Sequence, residues 1–504
     1  MANPSLQIGN SNWAIKEDNL LGYSTAGTRF LPQPITMTRA SAGTRVNPQG
    51  LVETVELLGS EEVTDGNFPT PNTEWSSFGL ATINENIVNF VDAGSNTYSG
   101  ITQDINSFSA KQYKVEITVT NWISGDILAT FSSNNASFNI TGNGTYSVYI
   151  TPVSNGDDIG LVRDYSSGAD FSYSITNVSV KESTKNNLAR VDYDGTASSL
   201  LVEPMRTNLL PYSEDLSQWN TKQATETLNY GISPDGTQNS TRLVFASSNL
   251  QFSNTLSTGS VTSGSIYAKG VSGETITFGL KSSESTFTFN GLWQRLEVQG
   301  TATSNKITVN TYGGVTARDF EVWGGQIEEG SYATSYIPTN GEAGGVTRNQ
   351  DQYSKTGISN LINSEEGVLF VEMAALSDDL STRMISLSDG SNTNRIHCFY
   401  YSASNTIGLN YRVAGVTEAS ITASLGDETD FKKIAFRWES GNFKLYIDGV
   451  PSGTDANTTM LPSDTLNKLA FEQGDGGSNF YGKVKHLQVY KTALTDPELV
   501  TLTT

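Results

Sequence analysis

The chain is short of reactive groups. It holds one cysteine, Cys398, and two histidines, His397 and His486. A single thiol excludes an internal disulfide framework and any cysteine-based metal cluster. A nucleophile–histidine site could be built only around His397 or His486, and no Ser or Cys motif stands near His486 in "GKVKHLQVY". Charge is scarce and one-sided: 16% of residues are charged, and 31 Lys and Arg against 52 Asp and Glu give a formal charge of −21. Such a field repels phosphate backbones and argues against nucleic acid as a partner. No run of about 18 apolar residues occurs, so no membrane insertion is expected. The opening "MANPSLQIGNSNW" lacks a basic and an apolar signal region, which predicts synthesis in the cytoplasm. Helical periodicity is nearly absent as well. The best helix candidate is "LTDPELVTL" (494–502), with Thr495 as its cap.

What fills the space is Gly, Ser, Thr and Asn, with apolar residues at only 36%. Thr and Val suit strands, while Asn, Ser and Gly suit turns. Alternating segments recur along the chain, among them "YKVEITVTNW" (113–122), "TITFGLKS" (275–282), "GVLFVEMAAL" (367–376) and "NFKLYIDGV" (442–450). Their density, with 21 Tyr, 21 Phe and 7 Trp to fill several cores, predicts an all-β protein of tandem antiparallel β-sandwiches of jelly-roll type.

A weak internal repeat divides the chain. Trp75 leads into strands that end with "DFSYSITNVSVKE" (170–182), and Trp219 leads into strands that end with "RDFEVWGGQIEE" (318–329). This predicts a first sandwich at 58–182, a second at 211–340, and a third domain at 341–504 after Gly344-Gly345. Residues 1–57 and 183–210 are left over. Neither could bury a core alone, and together they are expected to form one small anchoring unit, interrupted by the first sandwich.

Several strings carry a resemblance. "TRASAGTRVNPQGLVETV", "ARVDYDG", "LLVEPMRTNLLPYSED" and "GGQIEEGSYATSYIPT" resemble a recurring pattern in head and tail appendage proteins of tailed bacteriophages. In relatives of that kind the Thr-Arg-Ala-Ser segment commonly runs straight into the "EP-x-RTNLL" segment; here a sandwich stands between them. The two sandwiches look like carbohydrate-binding jelly-rolls, and the C-terminal module is similar to concanavalin A-like or laminin-G-like lectin domains. The resemblance implies a virion structural protein that attaches reversibly to host surface polysaccharide. It also implies docking to other virion proteins through residues 1–57, with the Pro32-Gln33-Pro34 break as part of the anchor, and a homo-oligomer, with a trimer favoured. Within the joint, Glu203 and Arg206 read as structural, because a partly buried Arg clamps carbonyls or a carboxylate.

The candidate sugar-binding residues are Trp122, His397, Phe399 and Tyr401. Trp122 ends a strand and is placed on a rim. In "RIHCFYY" alternation puts Ile396, Cys398 and Tyr400 on one face, expected to be core. His397, Phe399 and Tyr401 then line an outer face that could bind glycan or a neighbouring subunit. Trp75, Trp219, Trp293 and Trp323 read as core residues in preference to sugar platforms. Lectin-type sandwiches admit a structural calcium, for which "SDGSN" (388–392) and "GDGGSN" (474–479) have hard-oxygen residues, although both also read as ordinary turns. No other cofactor is expected. The Glu328-Glu329 pair is the carboxylate pair to watch for hydrolysis. A non-enzymatic reading is favoured over a depolymerase, since no short-period repeat occurs, and a purely structural decoration protein is the remaining alternative.

Overall fold

A computed structural model describes residues 2–26, 29–92, 97–132, 134–138, 140, 142–164, 171–255, 263–280, 283–300, 306–313 and 316–504. The chain divides into two compact units, one of Glu56–Lys185 and one of Met1–Val55 with Asn186–Thr504. Both are antiparallel β-structure. Among the described residues the α-helical element is Asp496–Thr503, whose cap Thr495 forms a capping box with Glu498.

The Glu56–Lys185 unit is a sandwich of two sheets. One sheet has the order Gly144–Ile150, Gln112–Ser124, Phe171–Thr184, Ile87–Asp92, Ala81–Asn84, and Leu57–Glu61 adds to Phe171–Thr184. The other runs Asn134–Phe138, Ile127–Phe131, Ile159–Arg163, Gly100–Gln103, Ser76–Phe78. Alternation does the packing: Tyr113, Val115, Ile117 and Val119 point inward from one strand and meet Ile127, Ala129 and Phe131 from the facing sheet. Trp75 closes this core, its indole N–H donating to the Thr64 carbonyl at 3.1 Å. The first and last strands pair, Leu57 with Thr184 and Leu58 with Ser183, so the chain enters and leaves at one place.

The second sandwich, in the other unit, repeats the order of the ten strands to which Leu57–Glu61 is added in the first. One sheet is Gln294–Gln299, Ser263–Gly270, Arg318–Glu328, Thr241–Phe245, Thr225–Thr227; the other is Ser283–Thr288, Thr275–Leu280, Lys306–Asn310, Gln251–Thr255, Thr221–Lys222. Trp219 takes the place of Trp75, buried in the core with its N–H donated to the Tyr212 carbonyl at 3.1 Å. Trp323 is buried beside Tyr336 and Val52, and Trp293 packs half-buried on the same cluster.

The C-terminal module corrects the expected division of the chain. Residues 1–57 and 183–210 do not make a unit of their own. Leu6–Gly9 pairs with Gly482–Tyr490, Arg29–Thr38 pairs with Gln352–Thr356, and Ala197–Val202 pairs with Gly482–Tyr490. These strands complete one closed barrel with the strands of 352–490. The reason lies in the alternating apolar residues. Leu6, Ile8, Leu20, Ile35, Met37, Leu200 and Val202 are buried in the same core as Leu369, Ile385, Leu409, Phe436 and Leu487. The Pro32-Gln33-Pro34 segment is no break either. It lies in the Arg29–Thr38 strand, paired on one side with Asn19–Ala26, at edge positions where proline removes no ladder bond. The helix covers the far side of the barrel wall, Leu494 and Leu499 packing on Val368, Phe370, Ala435 and Tyr490.

A buried charge network joins the leftover segments to both domains around them. Arg39 meets Asp351 at 2.7 Å, Arg190 meets Glu203 at 2.6 Å and also Asp351, and Arg348 meets Glu203 at 2.8 Å. Ser335 of the second sandwich donates to Glu203 through its backbone N–H and its hydroxyl. Burial raises the Glu203 carboxyl pKa, but Arg348, Arg190 and Ser335 outweigh it and hold the group well below the usual carboxylate range. Arg206 instead donates to the Met205 carbonyl and lies over the Tyr332 ring.

Candidate glycan-binding faces

The Arg395–Tyr400 strand is buried on both sides. Ile396, Cys398 and Tyr400 face the barrel core, as alternation requires. His397 and Phe399 share the opposite face but are not open to solvent: they are 1% and 5% exposed, against 43% for Tyr401. The open outer face expected there is therefore closed over His397 and Phe399. The three rings line up along the strand, tilted to one another, with centroids 5.0 Å apart for His397–Phe399 and 5.7 Å for Phe399–Tyr401. Gly408 on the neighbouring strand sits under the Phe399 ring, where a Cβ would meet it at 2.4 Å. Burial, then Arg395 and Arg412, push the His397 imidazole down to about 3, so it is neutral at pH 7. Burial alone pushes the Cys398 thiol up to about 12, which removes it as a nucleophile.

Trp122 belongs to the Glu56–Lys185 unit. It is half-buried at the end of Gln112–Ser124, its indole N–H spent on the Gly125 carbonyl at 3.0 Å. That N–H is not free for a ligand, and the ring packs against the sandwich core.

The same unit carries a groove that sequence reasoning missed. It lies on the outer face of the five-stranded sheet, has a volume of about 430 Å³, and is lined by Phe78, Tyr98, Thr102, Thr130, Ser132, Asp157, Asp158 and Gly160. Thr102, Gly160 and Thr130 stand in one cross-strand row. Gly160 keeps the floor low, since a Cβ there would meet the Thr130 hydroxyl at 2.4 Å. Phe78 and Tyr98 form one wall, stacked with centroids 5.0 Å apart, and Tyr98 is 58% exposed. On the opposite side Ser132 donates to Asp157 at 2.7 Å. The Ser154 backbone, Ser132 and the Ser154 hydroxyl hold the Asp157 carboxyl below its ordinary value. The arrangement offers an aromatic face, two hydroxyls and a fixed carboxylate beside a shallow floor. Its residues come from segments far apart in sequence, Tyr98 with Thr102, then Thr130, then Gly160, which single-strand alternation does not connect.

The turns named for calcium are filled by their own donors. Asp389 accepts from the Ser391 N–H and hydroxyl and from Asn394. Glu472 accepts from the N–H groups of Gly474 and Gly476 and from Lys468, and Asp475 accepts from Gln473 and Gly477. Among the described residues no group of three or more His, Cys, Asp or Glu is placed to hold a metal ion. Glu328 is buried and spent on the Thr334 N–H and hydroxyl. No helix among the described residues is long and apolar enough to cross a membrane.

Residues 369–500 match the family model of the concanavalin A-like lectin/glucanases superfamily, Laminin_G_3, so this stretch is similar to lectin-like domains. No curated protein matches the chain. Among solved structures, the chain is similar to the CBM40 of a Ruminococcus gnavus IT-sialidase bound to α2,3-sialyllactose, at 18% identity and a TM-score of 0.25, covering 28% of this chain and 83% of that one. It is also similar to domain 4 of AbnA, a GH43 extracellular arabinanase from Geobacillus stearothermophilus, in complex with arabinotriose, at 14% identity and a TM-score of 0.26, covering 31% and 73%. A tandem CBM22 pair from Paenibacillus barcinonensis Xyn10C shares 10% identity over 55% of this chain and 98% of that one, at a TM-score of 0.18.

Proposed function

We propose that the protein is a non-catalytic appendage of a tailed-bacteriophage particle that holds host surface polysaccharide. The groove walled by Phe78 and Tyr98 carries the glycan-binding part of this reading. A pyranose presents an apolar face and a rim of hydroxyls. The exposed Tyr98 ring, backed by the half-buried Phe78, suits the first, and Thr102, Thr130 and Asp158 suit the second. The phage part rests on the strings "TRASAGTR", "EPMRTNLL" and "QIEEGSYATSYIPT". Trimeric assembly and attachment to other virion proteins through the N-terminal residues belong to the same reading. Weak single sites would then gain from many copies on one particle.

The test is binding of the intact protein to host cells with and without their surface polysaccharide, with released sugar assayed in parallel. The expected result is binding that requires the polysaccharide, no sugar release, and at least tenfold weaker binding by Tyr98→Ala at an unchanged melting temperature. Full binding by Tyr98→Ala would remove the groove from the reading. Sugar release would replace a binding protein with a depolymerase.

A further inference from the structure

The Tyr98 groove is one-sided in charge. Asp157 and Asp158 line it, and among the described residues no Lys or Arg does. The cations of the Glu56–Lys185 unit are Lys111, Lys114, Arg163, Lys181 and Lys185. The lysines lie in or next to the Gln112–Ser124 and Phe171–Thr184 strands, which belong to the other sheet of the sandwich. Arg163 ends a strand of the groove's own sheet but is turned inward, 1% exposed, with its guanidinium 4.4 Å from the centre of the Phe171 ring. Neither groove carboxylate forms an ion pair among the described residues. Asp157 is held by the Ser132 and Ser154 hydroxyls at 2.7 and 2.8 Å and by the Ser154 N–H at 2.9 Å, and Asp158 is exposed. A groove of about 340 Å³ on the second sandwich shows the contrast: its Asp319 and Glu321 are paired with Arg242 and Lys269.

The hydroxyl groups add to the same bias. Thr102 gives its proton to the Ile159 carbonyl at 3.1 Å, and Ser132 gives its own to Asp157. Towards the groove both therefore present lone pairs. A ligand suited to such a surface brings donors and positive charge. A ligand with a carboxylate meets acceptors and like charge.

We infer that this groove takes an amino sugar, its protonated amine held by Asp158 and Asp157 and its ring lying on Tyr98. That assignment rests on the glycan-binding reading above and adds the class of glycan. An amino sugar differs from its neutral parent by one group, an ammonium in place of a hydroxyl. An ammonium has only donors, which matches the acceptors around it, and its bonds to carboxylates are charge-assisted. Solvent in the open groove screens the attraction and keeps the gain per amine modest.

The experiment is calorimetric titration of the full chain, at mildly acidic pH and low salt, with glucosamine, glucose and glucuronic acid oligomers of equal length. The expected order of affinity is glucosamine, glucose, glucuronic acid, with the first step roughly fivefold and reduced by added salt. Tyr98→Ala should weaken the glucosamine oligomer at least tenfold. Asp158→Asn, at an exposed position, should bring the glucosamine-to-glucose ratio close to one at an unchanged melting temperature. Glu85→Gln removes the same charge from the turn between Ala81–Asn84 and Ile87–Asp92 in the other sheet, and should keep the ratio. Equal binding of the glucosamine and glucose oligomers, both sensitive to Tyr98→Ala, would overturn the inference and leave the groove as a neutral glycan site. So would a glucuronic acid oligomer bound as tightly as the glucose oligomer. A ratio that falls as far with Glu85→Gln as with Asp158→Asn would assign the preference to the net charge of the chain and overturn it too. No binding of any oligomer, or binding that Tyr98→Ala leaves intact, would overturn the groove reading and the amino-sugar assignment together.

Discussion

At the scale of single residues, the informative groups are those whose environment opposes their charge. His397 is one; Glu428 is another, with the opposite sign. Glu428 is 3% exposed and its Oε2 has no partner. Burial, then Asp378, push its carboxyl up to about 7, with Arg383 opposing. The unfolded carboxyl keeps an ordinary value of about 4.5. Between those two values the folded chain binds the extra proton, so stability falls as pH rises from about 4.5 to about 7. Glu428→Gln removes the ionisable group and with it that loss. Its melting temperature is expected to match the parent near pH 5 and exceed it at pH 8. Parallel melting curves across that range would show that the group is not held protonated.

At the scale of elements, the buried network decides how the short segments are held. Asp351 accepts from Arg39, Arg190 and the Glu203 N–H, and all three partners are enclosed. Removing one side of a buried pair leaves an uncompensated charge and costs about 3–5 kcal/mol. Asp351→Ala is therefore expected to lower unfolding stability by that amount in urea, far more than loss of an exposed pair such as Arg242–Asp319. An equal, small effect from both would mean that the network is not an anchor. Sequence reasoning reached the elements more readily than their partners. Strand alternation located Arg395–Tyr400 and its core face, and Thr495 and Pro497 marked the helix. The Trp75 and Trp219 repeat announced two sandwiches that share one topology. Alternation speaks only of faces within a strand, however. It could not tell that Gly160 lies between Thr102 and Thr130, or that Arg412 stands against Arg395. The first fact belongs to register between strands distant in sequence, the second to register across the turn that joins Arg395–Tyr400 to Thr406–Val413.

At the scale of the whole molecule, the chain order and the folding units disagree, and the disagreement is testable. The lectin-like match spans 369–500, yet the core it must bury also contains Leu6, Ile8, Leu20, Ile35, Met37, Leu200 and Val202. A fragment of residues 341–504 would lack those side chains. It would also expose the strand edges of Gly482–Tyr490 and Gln352–Thr356 that Leu6–Gly9, Ala197–Val202 and Arg29–Thr38 cover. Bare edges beside an incomplete core favour aggregation. The segment 56–185 is the reverse case: it has its own core, and its first and last strands pair with each other. We expect 56–185 to fold alone with a cooperative thermal transition. We expect the chain with 56–185 replaced by a short Gly-Ser turn to fold as well, because Val55 and Asn186 belong to the unit that remains. The 341–504 fragment should be insoluble or lack a cooperative transition by calorimetry. A soluble, cooperatively melting 341–504 fragment would mean that the N-terminal strands decorate a self-sufficient lectin-like domain, and the barrel's closure would then be a matter of assembly order and not of stability.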